Sequence, residues 1–317
     1  MNIVFLDAST IDRNDIDFSE LGSEGKLTLH PITSPDETIE RVNGAEIIIS
    51  NKVPVTAEVL AAAPQLKLVV SAATGVNQID LEACRSRNIA VANVAGYSTE
   101  SVAQHTFSLI LELATRTTTY ASRIRHDWPI SPIFTRLDHP LFELNGKTLG
   151  IIGLGTIGKA VARIAAAFGM NVVAMARDGS SSEGTIPRLE ETQFLSQSDV
   201  ISLHCPLTEG NQNFINRERL SAMRPGTLLI NTSRGPLIDE TALAEALVSG
   251  HLGGAGLDVL SVEPPPTDHP LFAEGIPNLL ITPHTAWSTR EARIRLLDGV
   301  TENIRSFKSG GKLNRLV

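Results

Sequence analysis

Three ionisable residues in the C-terminal third of the chain each follow a short apolar run: Arg234, Glu263 and His284. Leu228-Leu229-Ile230 leads into Asn231-Thr232-Ser233-Arg234-Gly235, and Leu257-Asp258-Val259-Leu260 leads towards Glu263-Pro264-Pro265-Pro266. Leu279-Leu280-Ile281 leads into Thr282-Pro283-His284. Short apolar runs bounded by turn residues read as buried strands, and in an open parallel α/β sheet the carboxyl ends of the strands form the ligand crevice. A cation, a carboxylate and an imidazole gathered there suit carbonyl reduction. Hydride delivery to a ketone builds alkoxide character on oxygen, so a positioned acid must supply a proton. Imidazole titrates near pH ~6.5, and a carboxylate beside it favours the protonated ring while orienting it. His284 is the best placed of the eight histidines for that work, with Glu263 as its partner. Arg234 keeps its charge, and its fork can hold a substrate carboxylate while polarising the carbonyl oxygen. Taken singly, each has a plain alternative: a surface arginine, a solvated turn carboxylate, a satisfied histidine. Their succession on consecutive crossovers favours one shared site.

Upstream, Gly153-Leu154-Gly155-Thr156-Ile157-Gly158 follows a β-like run, Thr148–Ile152, and opens a helical pattern over Gly158–Phe168. In a dinucleotide turn the first glycine permits the tight turn, the second lets backbone approach the pyrophosphate, and the third permits close helix–strand packing. The helix N-terminus adds unpaired N–H groups and a positive dipole end. An NAD site usually carries an acidic residue about 20 positions on, bonded to the ribose 2′-OH. At that strand end this chain reads Met175-Ala176-Arg177-Asp178, with Ala176 where the carboxylate is expected. A 2′-phosphate would meet no repulsion there, and Arg177 could pair with it. Alternatively Arg177 stacks on adenine or Asp178 reaches the ribose. The reading favours NADP over NAD, with NAD still open.

The elements that must position these residues alternate along the chain. β-like runs at Ile3–Leu6, Lys26–Leu29, Glu46–Ser50, Leu68–Ser71 and Ala90–Ala92 are separated by helical stretches such as Asp36–Val42 and Thr56–Ala62. A second series follows at Thr148–Ile152, Asn171–Met175, Val200–Leu203, Thr227–Ile230, Gly254–Asp258 and Leu279–Ile281, with a helix expected over Glu240–Ser249. Such alternation reads as parallel sheets flanked by helices. The expected fold class is therefore α/β, with two doubly wound parallel-sheet domains. A Rossmann-type cofactor domain (residues 100–285) is inserted into a flavodoxin-like substrate domain (residues 1–99 and 286–317). A helix opens at Ser98-Thr99-Glu100-Ser101, and a long one is expected over Thr289–Phe307. Residues Tyr120–Asn145 hold both tryptophans, several prolines and little periodicity, and read as an extended arm.

Composition limits the alternatives. At 317 residues two domains are the natural expectation, and 42% hydrophobic with 20% charged residues is ordinary for a globular protein. A net charge of −8 argues against a nucleic-acid binder. No apolar run approaches a membrane span, and the N-terminus reads as a first strand rather than a signal peptide. Cys84 and Cys205 stand far apart, which suits a reducing, cytoplasmic setting, and no metal cluster is expected.

The ordered set resembles a known family. The glycine fingerprint, His204-Cys205-Pro206-Leu207-Thr208, Asn231-Thr232-Ser233-Arg234-Gly235, Asp258-Val259 with Glu263-Pro264, and Pro283-His284 are similar to the D-isomer-specific 2-hydroxyacid dehydrogenases. Within that family, Leu257–Pro266 followed by Pro283-His284-Thr285-Ala286-Trp287 resembles the glycerate dehydrogenases, or hydroxypyruvate reductases. The resemblance implies His284 as acid/base, Glu263 as its partner and Arg234 as substrate clamp. It also implies that Thr156 and Ile157 approach the pyrophosphate and that Asp258 contacts the nicotinamide carboxamide. Cys205, Pro206, Thr232 and Ser233 would line the cofactor, with Ala286 near the nicotinamide. In the first domain, Ala73-Thr74-Gly75-Val76 matches the loop whose N–H groups grip the substrate carboxylate, so Thr74 and Gly75 join the substrate residues. A small 2-keto or 2-hydroxy acid is the implied partner, and a homodimer built around the Tyr120–Asn145 segment the implied assembly. Ala176 departs from the many relatives that carry an acidic residue there. Phosphoglycerate dehydrogenase is the main alternative activity, formate dehydrogenase is disfavoured because Glu263 keeps a carboxylate, and a dinucleotide-sensing corepressor is the alternative from another class.

Overall fold

A computed structural model describes residues 1–176 and 185–317, which form two compact units: Met1–Ser98 with Trp287–Val317, and Thr99–Ala286. Both are parallel α/β sheets, as expected.

In the first unit, β1 (Asn2–Phe5), β2 (Lys26–Leu29), β3 (Ile47–Ser50), β4 (Leu68–Ser71) and β5 (Ala90–Ala92) lie in the order β2-β1-β3-β4-β5. This is the flavodoxin-like order, with its switch point between β1 and β3. Strands β3 and β4 are buried on both faces, which explains their unbroken apolar sequences. Ile47 and Ile49 face Leu296, Leu297, Val300 and Ile304 of the helix Arg290–Lys308, while Ile48 packs with Val59 and Leu60 of the helix Ala57–Ala62. Period-two alternation of side chains thus splits one apolar strand between two cores. Helix starts follow local chemistry: Asp80 accepts the Ala83 N–H, and Ser34 with Glu37 forms a reciprocal cap before Pro35–Arg41.

In the second unit, β6 (Thr148–Ile152), β7 (Asn171–Met175), β8 (Arg188–Leu189), β9 (Val200–Leu203), β10 (Leu228–Asn231), β11 (Gly254–Leu257) and β12 (Leu279–Ile281) run parallel in the order β12-β11-β10-β9-β6-β7-β8. Counted from β6 this is the Rossmann order 3-2-1-4-5-6 with one further strand beside the sixth. The helix Thr99–Thr115 covers one face through Phe107, Leu109, Ile110 and Leu113, packed with Leu149, Ile151 and Ile230. The helix Glu240–Val248 covers the other through Leu243 and Leu247, packed with Ile201, Leu229 and Ala255. Fully burying one such side chain contributes ~1.5–3 kcal/mol, so these two apolar faces fix the central strands that carry the candidate residues.

One expectation needs correction. The segment read as an extended arm begins as a helix, Thr117–Asp127, and becomes irregular only beyond it. None of that helix's residues is buried, so it carries no apolar stripe that periodicity could detect. An Arg123–Asp127 pair four residues apart supports it, and Arg116, at φ 53°, breaks it from the preceding helix. The short helices Glu191–Gln197 and Arg217–Ala222 also escaped the sequence reading. No helix among the described residues is long and apolar enough to cross a membrane.

Candidate active site

Five strand ends build the site in the second unit. After β6 the chain turns at Gly153, φ 97°, where a Cβ would stand 2.5 Å from the Cys205 nitrogen, and the helix Thr156–Ala167 begins. At Gly158 a Cβ would meet the Gly153 carbonyl oxygen at 2.3 Å, so the third glycine serves packing. At Gly155, by contrast, a Cβ would meet nothing within 4 Å: the turn opens there, beside the N–H groups of Thr156 and Ile157 at the helix start, which have no acceptor among the described residues. These residues fit a dinucleotide pyrophosphate. Ala176 directly follows β7, its N–H donating to the Leu189 carbonyl. Arg177 and Asp178, on which the NADP reading turned, lie outside the described residues.

After β9 come His204 and Cys205. Desolvation holds the His204 imidazole down to about 4, so its ring is neutral at physiological pH. Burial pushes the Cys205 thiol up, which keeps it protonated. The Cys205 carbonyl accepts the Ser233 hydroxyl at 2.5 Å, tying the loops after β9 and β10 together. Pro206 and Thr232 lie in the same two loops, and Thr232 Oγ1 is 3.1 Å from Thr106 Oγ1.

Asn231, fully buried at the end of β10, shapes the loop that carries Arg234. Its Oδ1 accepts the Ser233 N–H at 3.0 Å and its Nδ2 donates to the Arg234 carbonyl at 2.8 Å. Sequence reasoning assigned it no role, although a polar residue closing an apolar strand was the available signal. Arg234 is half-buried, donates to the Ser233 carbonyl at 2.7 Å, and has no carboxylate partner among the described residues. A half-buried guanidinium without a counter-ion is a ready anion clamp.

Asp258, past β11, is 1% exposed. Its Oδ1 accepts the Thr285 N–H at 2.9 Å and the Thr282 hydroxyl at 2.6 Å, and its Oδ2 accepts the Ala286 N–H at 2.8 Å. Asp258 therefore holds the loop from which His284 projects, and one acceptor position remains on Oδ2. His284 itself adopts φ 54°, a left-handed conformation costing on the order of 1 kcal/mol or more, held by its N–H donating to the Asp258 carbonyl at 2.8 Å.

Glu263 and His284 meet as expected from the sequence. Glu263 Oε2 lies 2.6 Å from His284 Nδ1, and Glu263 Oε1 accepts the Leu260 N–H at 3.0 Å. A carboxylate accepts only, so Nδ1 carries the proton, and Nε2 makes no hydrogen bond among the described residues. Arg234, Glu263 and His284 follow β10, β11 and β12, which are neighbours in the sheet, so the outer two of these three strands run roughly 10 Å apart.

Thr74 and Gly75 belong to the first unit, in the loop after β4. Their carbonyl oxygens accept from Asn93 Nδ2 at 2.6 Å and Ser71 Oγ at 2.7 Å. The N–H groups of Thr74, Gly75 and Val76 have no acceptor among the described residues, a run of donors suited to an anion.

Comparison with known proteins agrees with this geometry. Residues 107–286 match the profile described as D-isomer specific 2-hydroxyacid dehydrogenase, NAD binding domain. The chain is 39% identical to a glycerate dehydrogenase of Methylorubrum extorquens, covering 98% of each protein. It is also 39% identical to a hydroxypyruvate reductase of Blautia hydrogenotrophica, covering 99% of each. A D-lactate dehydrogenase from Aquifex aeolicus, solved with NAD and lactic acid, superposes with a TM-score of 0.85 at 32% identity, covering 100% of this chain and 99% of that one. The chain belongs to the D-isomer specific 2-hydroxyacid dehydrogenases, oxidoreductases that work with a nicotinamide dinucleotide.

Proposed function

We propose that this enzyme reduces hydroxypyruvate and glyoxylate to D-glycerate and glycolate, with NADPH preferred over NADH. The observation that carries the reading is the Glu263–His284 pair, its Nε2 without a partner among the described residues. The pair stands one strand end along from the strand preceding Arg234, whose guanidinium meets no carboxylate among the described residues. Gly153, Gly155, Thr156, Ile157 and Gly158 would hold the dinucleotide, which when bound would supply the hydride for the carbonyl carbon. Nε2–H of protonated His284 gives its proton to the carbonyl oxygen, and Glu263 stabilises the imidazolium until then. Arg234 holds the substrate carboxylate and polarises the carbonyl; in the first unit, the N–H groups of Thr74 and Gly75 are the donors suited to a carboxylate. Asp258 offers its remaining acceptor to the nicotinamide carboxamide, with Cys205, Pro206, Thr232, Ser233 and Ala286 lining the cofactor. We assign the substrate domain to residues 1–99 and 286–317 and the cofactor domain to 100–285. Two free thiols, Cys84 and Cys205, fit a reducing cytoplasm.

The test is a panel of hydroxypyruvate, glyoxylate, 3-phosphohydroxypyruvate and pyruvate with each cofactor at fixed ionic strength. Hydroxypyruvate should give the highest kcat/KM, and a preference for the phosphorylated acid would replace this reading with phosphoglycerate oxidation. Arg177→Ala should weaken NADPH binding about ten- to over a hundredfold more than NADH, since a charge-assisted hydrogen bond contributes ~1.5–3 kcal/mol. Ala176→Asp should shift preference towards NADH. Equal losses with both cofactors would mean that Arg177 merely covers adenine.

The assembly we propose is a homodimer. Trp128, Ile130, Ile133, Phe134 and Leu137 are exposed together beyond the helix Thr117–Asp127, Phe134 to 88%. So apolar a patch marks an interaction surface. Replacing Trp128 and Phe134 with polar residues should convert the sedimenting dimer to monomer, and an unchanged dimer would rule this surface out.

A further inference from the structure

A second glutamate–histidine pair, Glu240 with His269, stands in the second unit and has no part in the chemistry above. Both residues are buried, at 8% and 5% exposure, and His269 Nε2 lies 3.0 Å from Glu240 Oε2. His269 Nδ1 accepts the Leu271 N–H at 3.3 Å, so the proton sits on Nε2 and points at the carboxylate. Glu240 Oε1 accepts the Ser261 N–H at 2.8 Å, and Oε2 accepts the Ser261 hydroxyl. Glu240 also opens the helix Glu240–Val248, where the helix dipole favours its negative charge.

The peptide these groups hold is the one on which the candidate site rests. Leu260, the residue before Ser261, donates its N–H to Glu263 Oε1, while the other oxygen of Glu263 meets His284. On its other side, the Leu260–Ser261 peptide abuts Gly235, where a Cβ would stand 1.9 Å from the Leu260 carbonyl carbon. Gly235 directly follows Arg234. The Leu260–Ser261 peptide is thus gripped by Glu240 and pressed against the backbone beside Arg234, while the N–H of the peptide just before it is bonded to Glu263.

We propose that Glu240 and His269 are positioning residues for the reduction: they set where Glu263 meets His284 relative to Arg234 by clamping the Leu260–Ser261 peptide. The proposal rests on the proton-donor reading of His284 given above. Burial makes the clamp stiff. Every polar atom of the pair is satisfied, and moving Ser261 would leave a buried carboxylate short of donors. Glu240→Gln keeps an acceptor for the Ser261 N–H but sets an amide N–H against the Nε2–H of His269, which cannot change tautomer without losing Leu271.

The test measures kcat, the pH profile of reduction and the dissociation constant of NADH in Glu240→Gln, His269→Ala, His269→Gln and His284→Ala. Glu240→Gln and His269→Ala should lose roughly ten- to a hundredfold in kcat, the scale of a misplacement approaching 1 Å. Their pH profile should also depart from that of the wild type, because Glu263 is no longer held against His284. NADH binding should stay at the wild-type value, and His269→Gln, which keeps a donor for Glu240, should recover most of the rate. Should Glu240→Gln fail to fold, the two His269 variants decide alone. Variants that melt earlier yet turn over at the wild-type rate with the wild-type pH profile would make the pair structural only and overturn the proposal. His284→Ala separates the two failures: if it remains active, the proton-donor reading falls; if it is dead while the Glu240 and His269 variants are normal, only the clamp falls.

Discussion

The two glutamate–histidine pairs among the described residues of the second unit are made of the same groups and differ in their surroundings. Glu263 and His284 keep 35% and 29% of their side chains exposed, whereas Glu240 and His269 keep 8% and 4%. In the open pair one ring nitrogen is held by the carboxylate and the other has no partner among the described residues. In the buried pair both nitrogens are committed, one to Glu240 and one to the Leu271 N–H. An acid that must deliver a proton needs a nitrogen facing its acceptor and the freedom to change charge. A clamp needs neither, and burial penalises any change of charge in it. Side-chain identity therefore does not separate a proton donor from a support; the destination of the second nitrogen does.

The comparison breaks most sharply at the two histidines. His284→Ala should lower the rate of reduction by roughly 10²–10⁴-fold at saturating substrate, because the step that donates a proton loses its acid. Its cost should exceed that of His269→Ala in a stopped-flow assay, and the reverse ranking would remove the distinction drawn here. Arg234→Lys comes next. An ammonium cannot make the planar two-point contact, and losing a charge-assisted bond of ~1.5–3 kcal/mol should reduce kcat/KM about ten- to over a hundredfold. Wild-type efficiency in that variant would remove Arg234 from the clamp. Glu263→Gln should have the smallest effect, because its amide keeps an oxygen to accept from Nδ1, 2.6 Å away, and loses only the charge. kcat should fall less than in Arg234→Lys or His284→Ala, and a wild-type kcat would make Glu263 a turn residue only.

Much of this was legible in the sequence because it is written in local terms. Apolar runs such as Ile47-Ile48-Ile49 and Leu228-Leu229-Ile230 announce strands buried on both faces, and Gly153, Gly155 and Gly158 announce a turn into a helix. The residues just past such strands were readable as a site for the same reason: parallel strands must present their carboxyl ends together. The helix Thr117–Asp127 was not readable, since it buries none of its residues and leaves no periodic trace. Tertiary structure alone decided which partners the buried polar groups take. Asn231 bonds within its own loop, Asp258 reaches 24 to 28 residues along the chain to Thr282, Thr285 and Ala286, and Glu240 reaches 29 to His269. No spacing rule encodes those distances, because they are set by which strands become neighbours in the sheet. The sequence determined that an arginine, a glutamate and a histidine would stand at adjoining strand ends. The folded chain decided which histidine keeps an open nitrogen, because only packing determines how much water and which donors each ring meets.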